Sequence, residues 1–185
     1  MPSPARRQKG TWDAGVNFDQ VLRRIMKVRD YAKTMKRPRL LRAMNVALIQ
    51  ITNGLRISEA VECYYKFLLR GDRELEVRVR KTKEKYRLCV VPDVIDATDI
   101  ALNRKLPPAS TSSIRTLIYL HLNVNTHSLR YAFINKLLEK GVDLPTISKI
   151  VGHRKLETLL TYVQEKRARA ELLDLVKSVG REVRR

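Results

Sequence analysis

The sequence is poor in cysteine and histidine and has no long apolar run. Its two cysteines, Cys63 and Cys89, lie far apart and form no Cys-x-x-Cys pair. This usage predicts a reducing compartment and argues against a disulfide framework or a zinc scaffold. No stretch approaches the roughly 18 apolar residues that are needed to span a bilayer, and the N-terminal residues lack the apolar segment of a secretory signal. The sequence is therefore not typical of a membrane-spanning or a disulfide-rich secreted protein.

Acidic residues are scarce relative to basic ones. The 185 residues contain 38 Lys plus Arg against 19 Asp plus Glu, which gives a formal net charge of +19. Such an excess repels itself in a compact fold and is usually tolerated because a polyanion neutralises it. The composition predicts nucleic acid as the first partner to consider, with an anionic membrane surface as the second.

The first half of the chain predicts three helices followed by a β-hairpin. Residues 1–16 are basic and have no hydrophobic period, so we expect a flexible arm there. Apolar residues recur at helical spacing from Phe18, and a second helix over about 40–51 should end at Gly54. Ser58 is expected to cap a third helix, which runs to about residue 67. Alternating apolar and charged residues over 75–91 predict an antiparallel hairpin with a basic tip.

The second half predicts further helices and no repeat. Ser112 or Ser113 should open one helix, and Thr126 should cap the next, which ends at Gly141. Three more helices are expected, over about 145–151, 156–163 and 168–179. The predicted class is α+β, mainly α-helical, with one small antiparallel sheet.

Four short segments carry the side chains that could act chemically. They are Gly54-Leu55-Arg56-Ile57-Ser58-Glu59, Lys81-Thr82-Lys83, His127-Ser128-Leu129-Arg130, and Gly152-His153 with Tyr162 nine residues later. Arginine binds non-bridging phosphate oxygens bidentately, while lysine and histidine can transfer protons. Tyrosine supplies an oxygen nucleophile, which needs a base or a positive pocket to be activated. The set suits phosphodiester chemistry without a metal.

Each motif alone also has an ordinary structural explanation. His127 and Arg130 lie three apart on one predicted helix face, yet such pairs are common on amphipathic surface helices. Arg56 could be a solvated residue of a first helical turn, and His153 could follow a helix stop. Tyr162 could be half-buried packing. Only the ordered combination is specific.

Taken in order, the motifs resemble the signature of the tyrosine recombinases. The segment 142–153 is similar to the stretch before the nucleophile in phage integrases and bacterial chromosome-dimer recombinases, and the resemblance runs from about residue 40 to residue 165. It implies a recombinase catalytic domain over residues 17–185. About 40 residues precede the matching region, so we expect the family's helical core-binding domain to be absent.

The resemblance implies a role for each motif in clamping the phosphate or in proton transfer. Arg56 and Arg130 would clamp the scissile phosphate, supported by Glu59. Lys81 would be the general acid for the leaving 5′-oxygen, with Lys83 as the alternative. A second set of residues serves the nucleophile and the phosphate: His127 as base or proton relay, His153 as hydrogen-bond donor, and Tyr162 as the nucleophile that forms a 3′-phosphotyrosine.

No metal, ATP or other cofactor is implied. The basic run formed by Lys36, Arg37, Arg39 and Arg42 is expected to contact the DNA backbone.

Three other functions compete with this interpretation. A type IB topoisomerase uses the same tyrosine attack, but the position of His127 is usually lysine there. A DNA-binding protein that no longer cuts need not keep Tyr162. A metal-dependent nuclease is disfavoured because the sequence has only three histidines and no cluster of Asp and Glu.

The expected partners follow from the same resemblance. They are double-stranded DNA and further copies of the chain, which in a full-length enzyme would form a tetrameric synapse. Residues Leu172, Leu173 and Val176 recur at helical spacing in the tail and could fill a groove of a neighbouring subunit or pack on their own domain. No membrane association is expected. The expected location is the cytoplasm, close to the nucleoid, or the host cytoplasm for a viral protein.

Overall fold

A computed structural model of the protein describes residues 16–79 and 86–152, together with residues 172, 173, 175 and 176. The chain divides into two compact units, Met1–Gly141 and Val142–Arg185. The helices are α1 (Phe18–Thr34), α2 (Pro38–Asn53), α3 (Ile57–Arg70), α4 (Ala97–Arg104), α5 (Thr111–Leu122), α6 (Thr126–Glu139) and α7 (Leu144–Val151). Strands β1 (Glu74–Arg78) and β2 (Tyr86–Val90) pair antiparallel. The predicted class, mainly helical with one small antiparallel sheet, is confirmed. None of the described helices is both long and apolar enough to cross a bilayer.

Helix α2 is the centre of the first unit. Every residue from Leu40 to Ile51 is buried, and α2 packs against α1, α3, α5 and α6. Pro38 opens the helix, where its missing N–H costs nothing. Gly54 ends it in the left-handed conformation, with φ of 60°, which confirms the predicted stop.

The predicted helix caps were each displaced by one to three residues. Arg56, not Ser58, holds the N-cap position of α3. Ser110 caps α5 by accepting a hydrogen bond from the Ser113 backbone, and Asn125 caps α6 by accepting one from the His127 backbone. Capping-type residues stand side by side at 110–113 and at 125–126, and the sequence alone does not choose among them.

Helix α4 has no counterpart among the helices predicted from the sequence. It is short and carries little apolar periodicity; it is fixed instead by polar contacts. Asp96 caps it by accepting from the backbone of Thr98 and Asp99, and the buried Asp99 accepts from Arg29 Nη2 at 2.7 Å and from Asn45 Nδ2 at 3.0 Å.

The hairpin confirms the predicted strands, and its register decides which side chains are buried. Val77 pairs with Arg87 and Leu75 with Cys89, so Arg87 and Cys89 lie on the buried face with their partners. Neighbouring side chains of a strand point to opposite faces. The apolar Leu88 is therefore exposed.

The prediction about the cysteines was wrong. Cys63 of α3 and Cys89 of β2 form a disulfide, with their Cα atoms 6.7 Å apart. Helix α3 packs against the hairpin, and this contact brings together two residues that are 26 positions apart in sequence. Sequence separation is therefore no guide to pairing here, and it gives no support to a reducing compartment.

Helix α7, in the second unit, also follows its prediction. Asp143 caps it by accepting hydrogen bonds from the backbone and side chain of Thr146, and Gly152 ends it in the left-handed conformation. The four described tail residues are helical and exposed. The helix predicted over 156–163 lies outside the described residues.

We expect the disulfide to stabilise the fold measurably. Replacing both cysteines by alanine should lower the free energy of unfolding by about 3 kcal/mol, the magnitude of the chain-entropy model for a loop of this length. Urea unfolding of the wild type with and without reductant should differ by a similar amount, while the double variant should not respond to reductant. Two titratable thiols in the unreduced, denatured wild type would contradict the pairing.

Candidate active site

The turn at Gly54 organises the candidate site. A Cβ at this position would lie 2.4 Å from Cδ1 of Phe133, so only glycine permits α6 to pack this closely. The Gly54 carbonyl oxygen accepts a hydrogen bond from Arg130 Nη1 at 2.7 Å and one from Arg87 Nη2 at 3.4 Å. The turn therefore draws an arginine of α6 and an arginine of β2 to one point, just before Arg56.

Glu59 holds Arg56 in place through two hydrogen bonds. Its carboxylate is fully buried. Oε2 accepts from the Arg56 backbone N–H at 2.9 Å, and Oε1 accepts from Arg56 Nη1 at 2.9 Å. The guanidinium of Arg56 keeps a partly exposed face (side chain 23% accessible). A carboxylate that fixes an arginine while leaving it open to solvent orients it for an anion.

Arg87 is a member of this cluster that the sequence analysis missed. Its Nη2 also donates to Glu59 Oε2 at 2.7 Å, so one buried carboxylate serves two arginines. Leu88 and Val90 are apolar yet exposed, so hydrophobicity alone does not identify the buried face of β2. The register opposite the buried Val77 could have revealed the true face.

Arg130 and His127 lie three residues apart on α6, as predicted, but they differ in exposure. Arg130 is buried, whereas His127 is exposed. Burial, together with the charges of Arg56 and Arg87, lowers the pKa of Arg130 to about 9, against the raising effect of Glu59. Burial likewise lowers the pKa of Arg87, against the raising effect of Glu59. The fold thus holds charged guanidiniums where their charge is costly.

Arg56, His127 and Arg130 line one cavity of about 420 Å³. Its lining includes Arg56, Arg130, His127, Gln50 and Arg115. Arg115, an exposed residue of α5, was not singled out in the sequence because it stands outside every motif. The arrangement is a positively charged pocket with an imidazole in its lining, which suits binding of a phosphate oxygen.

Four other predicted site residues fall in parts of the chain that have no described position. Lys81, Lys83, His153 and Tyr162 lie outside the residues that the structure describes.

The basic run predicted to contact DNA divides into two parts. Lys36, Arg37 and Arg39 are exposed or partly exposed, and the guanidinium of Arg37 lies 5.3 Å from the centre of the Tyr31 ring. Arg42 is only 2% accessible, and its Nη1 donates to the Pro107 carbonyl at 2.7 Å. Its assignment to a DNA-contacting surface is therefore corrected: as α2 is the central helix, this arginine points inward and holds the loop before α5.

Comparisons with known proteins show the family of the chain. The model of the phage integrase family matches residues 102–169. A product of Acidianus two-tailed virus that is named as a putative integrase, ORF241, is 33% identical over 162 residues, covering 86% of this chain and 67% of the relative. The chain belongs to the phage integrase family of tyrosine recombinases.

Two further matches place this family member among longer proteins. The tyrosine recombinase XerC of Agrobacterium fabrum is 32% identical over 143 residues, which cover 65% of this chain and 45% of XerC. The crystal structure of the XerH site-specific recombinase, in a pre-cleavage complex with its difH substrate, matches with a TM-score of 0.53 at 22% identity. That match covers 83% of this chain and 51% of XerH, so the chain spans about half the length of these two proteins. At this identity the structural match supports the fold alone.

Glu59→Gln should destabilise the protein, because it leaves two arginines in the cluster without their counter-charge. We expect the free energy of unfolding to fall by about 3 kcal/mol, as when one partner of a buried ion pair is removed. The matched control is Glu62→Gln on the same helix, whose partly exposed ion pair with Lys66 should be worth less than about 0.5 kcal/mol. Equal effects of the two substitutions in urea unfolding would contradict the proposed importance of Glu59.

Proposed function

We propose that this chain is the catalytic domain, over residues 17–185, of a site-specific recombinase that cleaves and rejoins double-stranded DNA through a 3′-phosphotyrosine at Tyr162. The observation that carries the proposal is the cavity shared by Arg56, Arg130 and His127. Family membership supports the same chemistry, and the XerH relative was crystallised with its difH substrate.

In the proposed reaction, the hydroxyl oxygen of Tyr162 attacks the scissile phosphorus and its proton passes to His127. The bond from phosphorus to the 5′-oxygen breaks, and Lys81 donates a proton to that oxygen, with Lys83 as the alternative donor. Arg56 and Arg130, with His153 as a further donor, stabilise the charge that develops on the non-bridging oxygens. The covalent bond to Tyr162 conserves the phosphoester energy, so a 5′-hydroxyl can reverse the reaction and reseal the strand.

A suicide DNA substrate tests the nucleophile. Tyr162→Phe should abolish the covalent adduct seen on a denaturing gel and leave DNA affinity nearly unchanged, because only the attacking oxygen is removed. Tyr131→Phe is the matched control and should still form the adduct. Mapping of the labelled DNA to a tyrosine other than Tyr162 would overturn the assignment.

The same substrate separates the competing functions. A protein that only binds DNA forms no adduct, and a topoisomerase relaxes supercoils without transferring a strand to a second duplex. Strand transfer between two duplexes is the result expected of a recombinase.

We also propose that the chain self-associates on DNA, and sedimentation with and without a two-site duplex tests this.

We propose that Lys36, Arg37 and Arg39 bind DNA phosphates. Replacing Lys36 and Arg37 by alanine should reduce the slope of log affinity against log salt by about 1 for each phosphate that the variant no longer neutralises. Arg42→Gln should lower the stability of the fold and leave the salt slope unchanged, since this arginine is buried. An unchanged slope in the double variant would mean that the run is an ordinary solvated surface.

A further inference from the structure

We propose that Arg87 is a positioning residue that links the two phosphate-binding arginines, so that they act as one preorganised unit. The proposal rests on the proposed function and adds to it a residue that lies outside every motif of the sequence.

A single nitrogen of Arg87 contacts the groups that hold both other arginines. Arg87 Nη2 donates to Glu59 Oε2 at 2.7 Å and to the Gly54 carbonyl at 3.4 Å. Glu59 is the acceptor that holds Arg56, and Gly54 is the acceptor that holds Arg130. Arg87 therefore bridges the anchors of both arginines.

The bridge is buried. The side chain of Arg87 is 7% accessible and Glu59 is fully buried, so water does not readily replace either partner in these hydrogen bonds. The rigid guanidinium plane fixes the direction of the Nη2 donors, whereas a lysine ammonium is a point charge on a flexible stem. The position thus requires arginine for geometry and not only for charge.

The cluster carries an excess of positive charge: Arg56, Arg87, Arg130 and Glu59 together carry three positive charges and one negative charge. Arg87 faces Arg56 at the N-cap of α3, Glu59 of α3 and Arg130 of α6. Its positive charge adds to the potential at the cavity where a phosphate would bind. Attack on a phosphodiester adds negative charge to its oxygens, so a fixed positive potential stabilises the transition state more than the ground state.

The test is single-turnover cleavage of a suicide duplex by the full chain, with DNA affinity measured in parallel. We expect Arg87→Gln to slow cleavage about 10- to 100-fold, at or below the effect of removing a direct donor to a developing oxyanion, with DNA affinity changed by less than about threefold. Arg87→Lys should restore part of the rate because it restores the charge without the bridge.

Arg29→Gln is the matched control for a purely structural effect. Arg29 is another buried arginine, paired with Asp99 at 2.7 Å and with Asn45 at 2.9 Å, and it does not line the cavity. At a temperature where all variants are folded, Arg29→Gln should cleave at the wild-type rate. If Arg87→Gln fails to fold, the comparison is made with Arg87→Lys alone. Wild-type cleavage by the folded Arg87 variant, or an equal reduction in Arg29→Gln, would overturn the inference.

A second measurement separates this inference from the proposed function. Low-millimolar sodium sulfate, a tetrahedral dianion, should raise the melting temperature of the wild type above that in sodium chloride of equal ionic strength, and the rise should be smaller in Arg87→Gln. If the wild type forms no DNA adduct, the proposed function fails, but the sulfate comparison still tests Arg87. If the wild type forms the adduct and the Arg87 variants match it in both assays, only the role of Arg87 fails.

Discussion

The contact between Gly54 and Phe133 is the constraint on which the candidate site depends. Gly54 ends the central helix in a left-handed conformation and has no Cβ, so the Phe133 ring of α6 can lie against its backbone. This approach brings Arg130 within hydrogen-bond reach of the Gly54 carbonyl. Because Arg56 follows two residues later, one turn sets the positions of both arginines. Any side chain at this position would separate α6 from α2 and move the two guanidiniums apart.

The site is held at a cost to stability. Burial and neighbouring positive charges lower the pKa of Arg130 to about 9, which means that the folded state disfavours the charged form relative to the unfolded chain. At neutral pH the arginine is still charged, so the fold carries this unfavourable contribution, which would diminish only as the pH rises above about 9. A bound anion offsets the same repulsion. The cluster is therefore stabilised by the kind of ligand that we propose for it, as expected where a site is organised before its substrate arrives.

Much of the fold could be predicted from the sequence because its determinants are local. Apolar periodicity and the glycine stops at Gly54 and Gly152 predicted α2 and α7, and alternation predicted the hairpin. The predictions failed where the determinants are not local. Helix α4 depends on the buried ion pair of Asp99 with Arg29, and the disulfide depends on how α3 packs against the sheet. The same holds for the site: Arg56 and Arg130 stand in motifs, whereas Arg87 is recognisable only once the strand register is known.

Strand β2 is joined to helix α3 at two points that match in spacing. Arg87 is bonded to Glu59 and Cys89 to Cys63. Residues two apart in a strand are separated by about 6.6 Å, and residues four apart in a helix by about 6 Å along the axis and on the same face. The strand can therefore run along the helix and form one ionic and one covalent link, because the two pairs of residues have nearly equal spacing. A slip of one residue would turn both side chains to the exposed face and break both links together. The register that buries Arg87 beside Glu59 is thus the same register that the disulfide fixes.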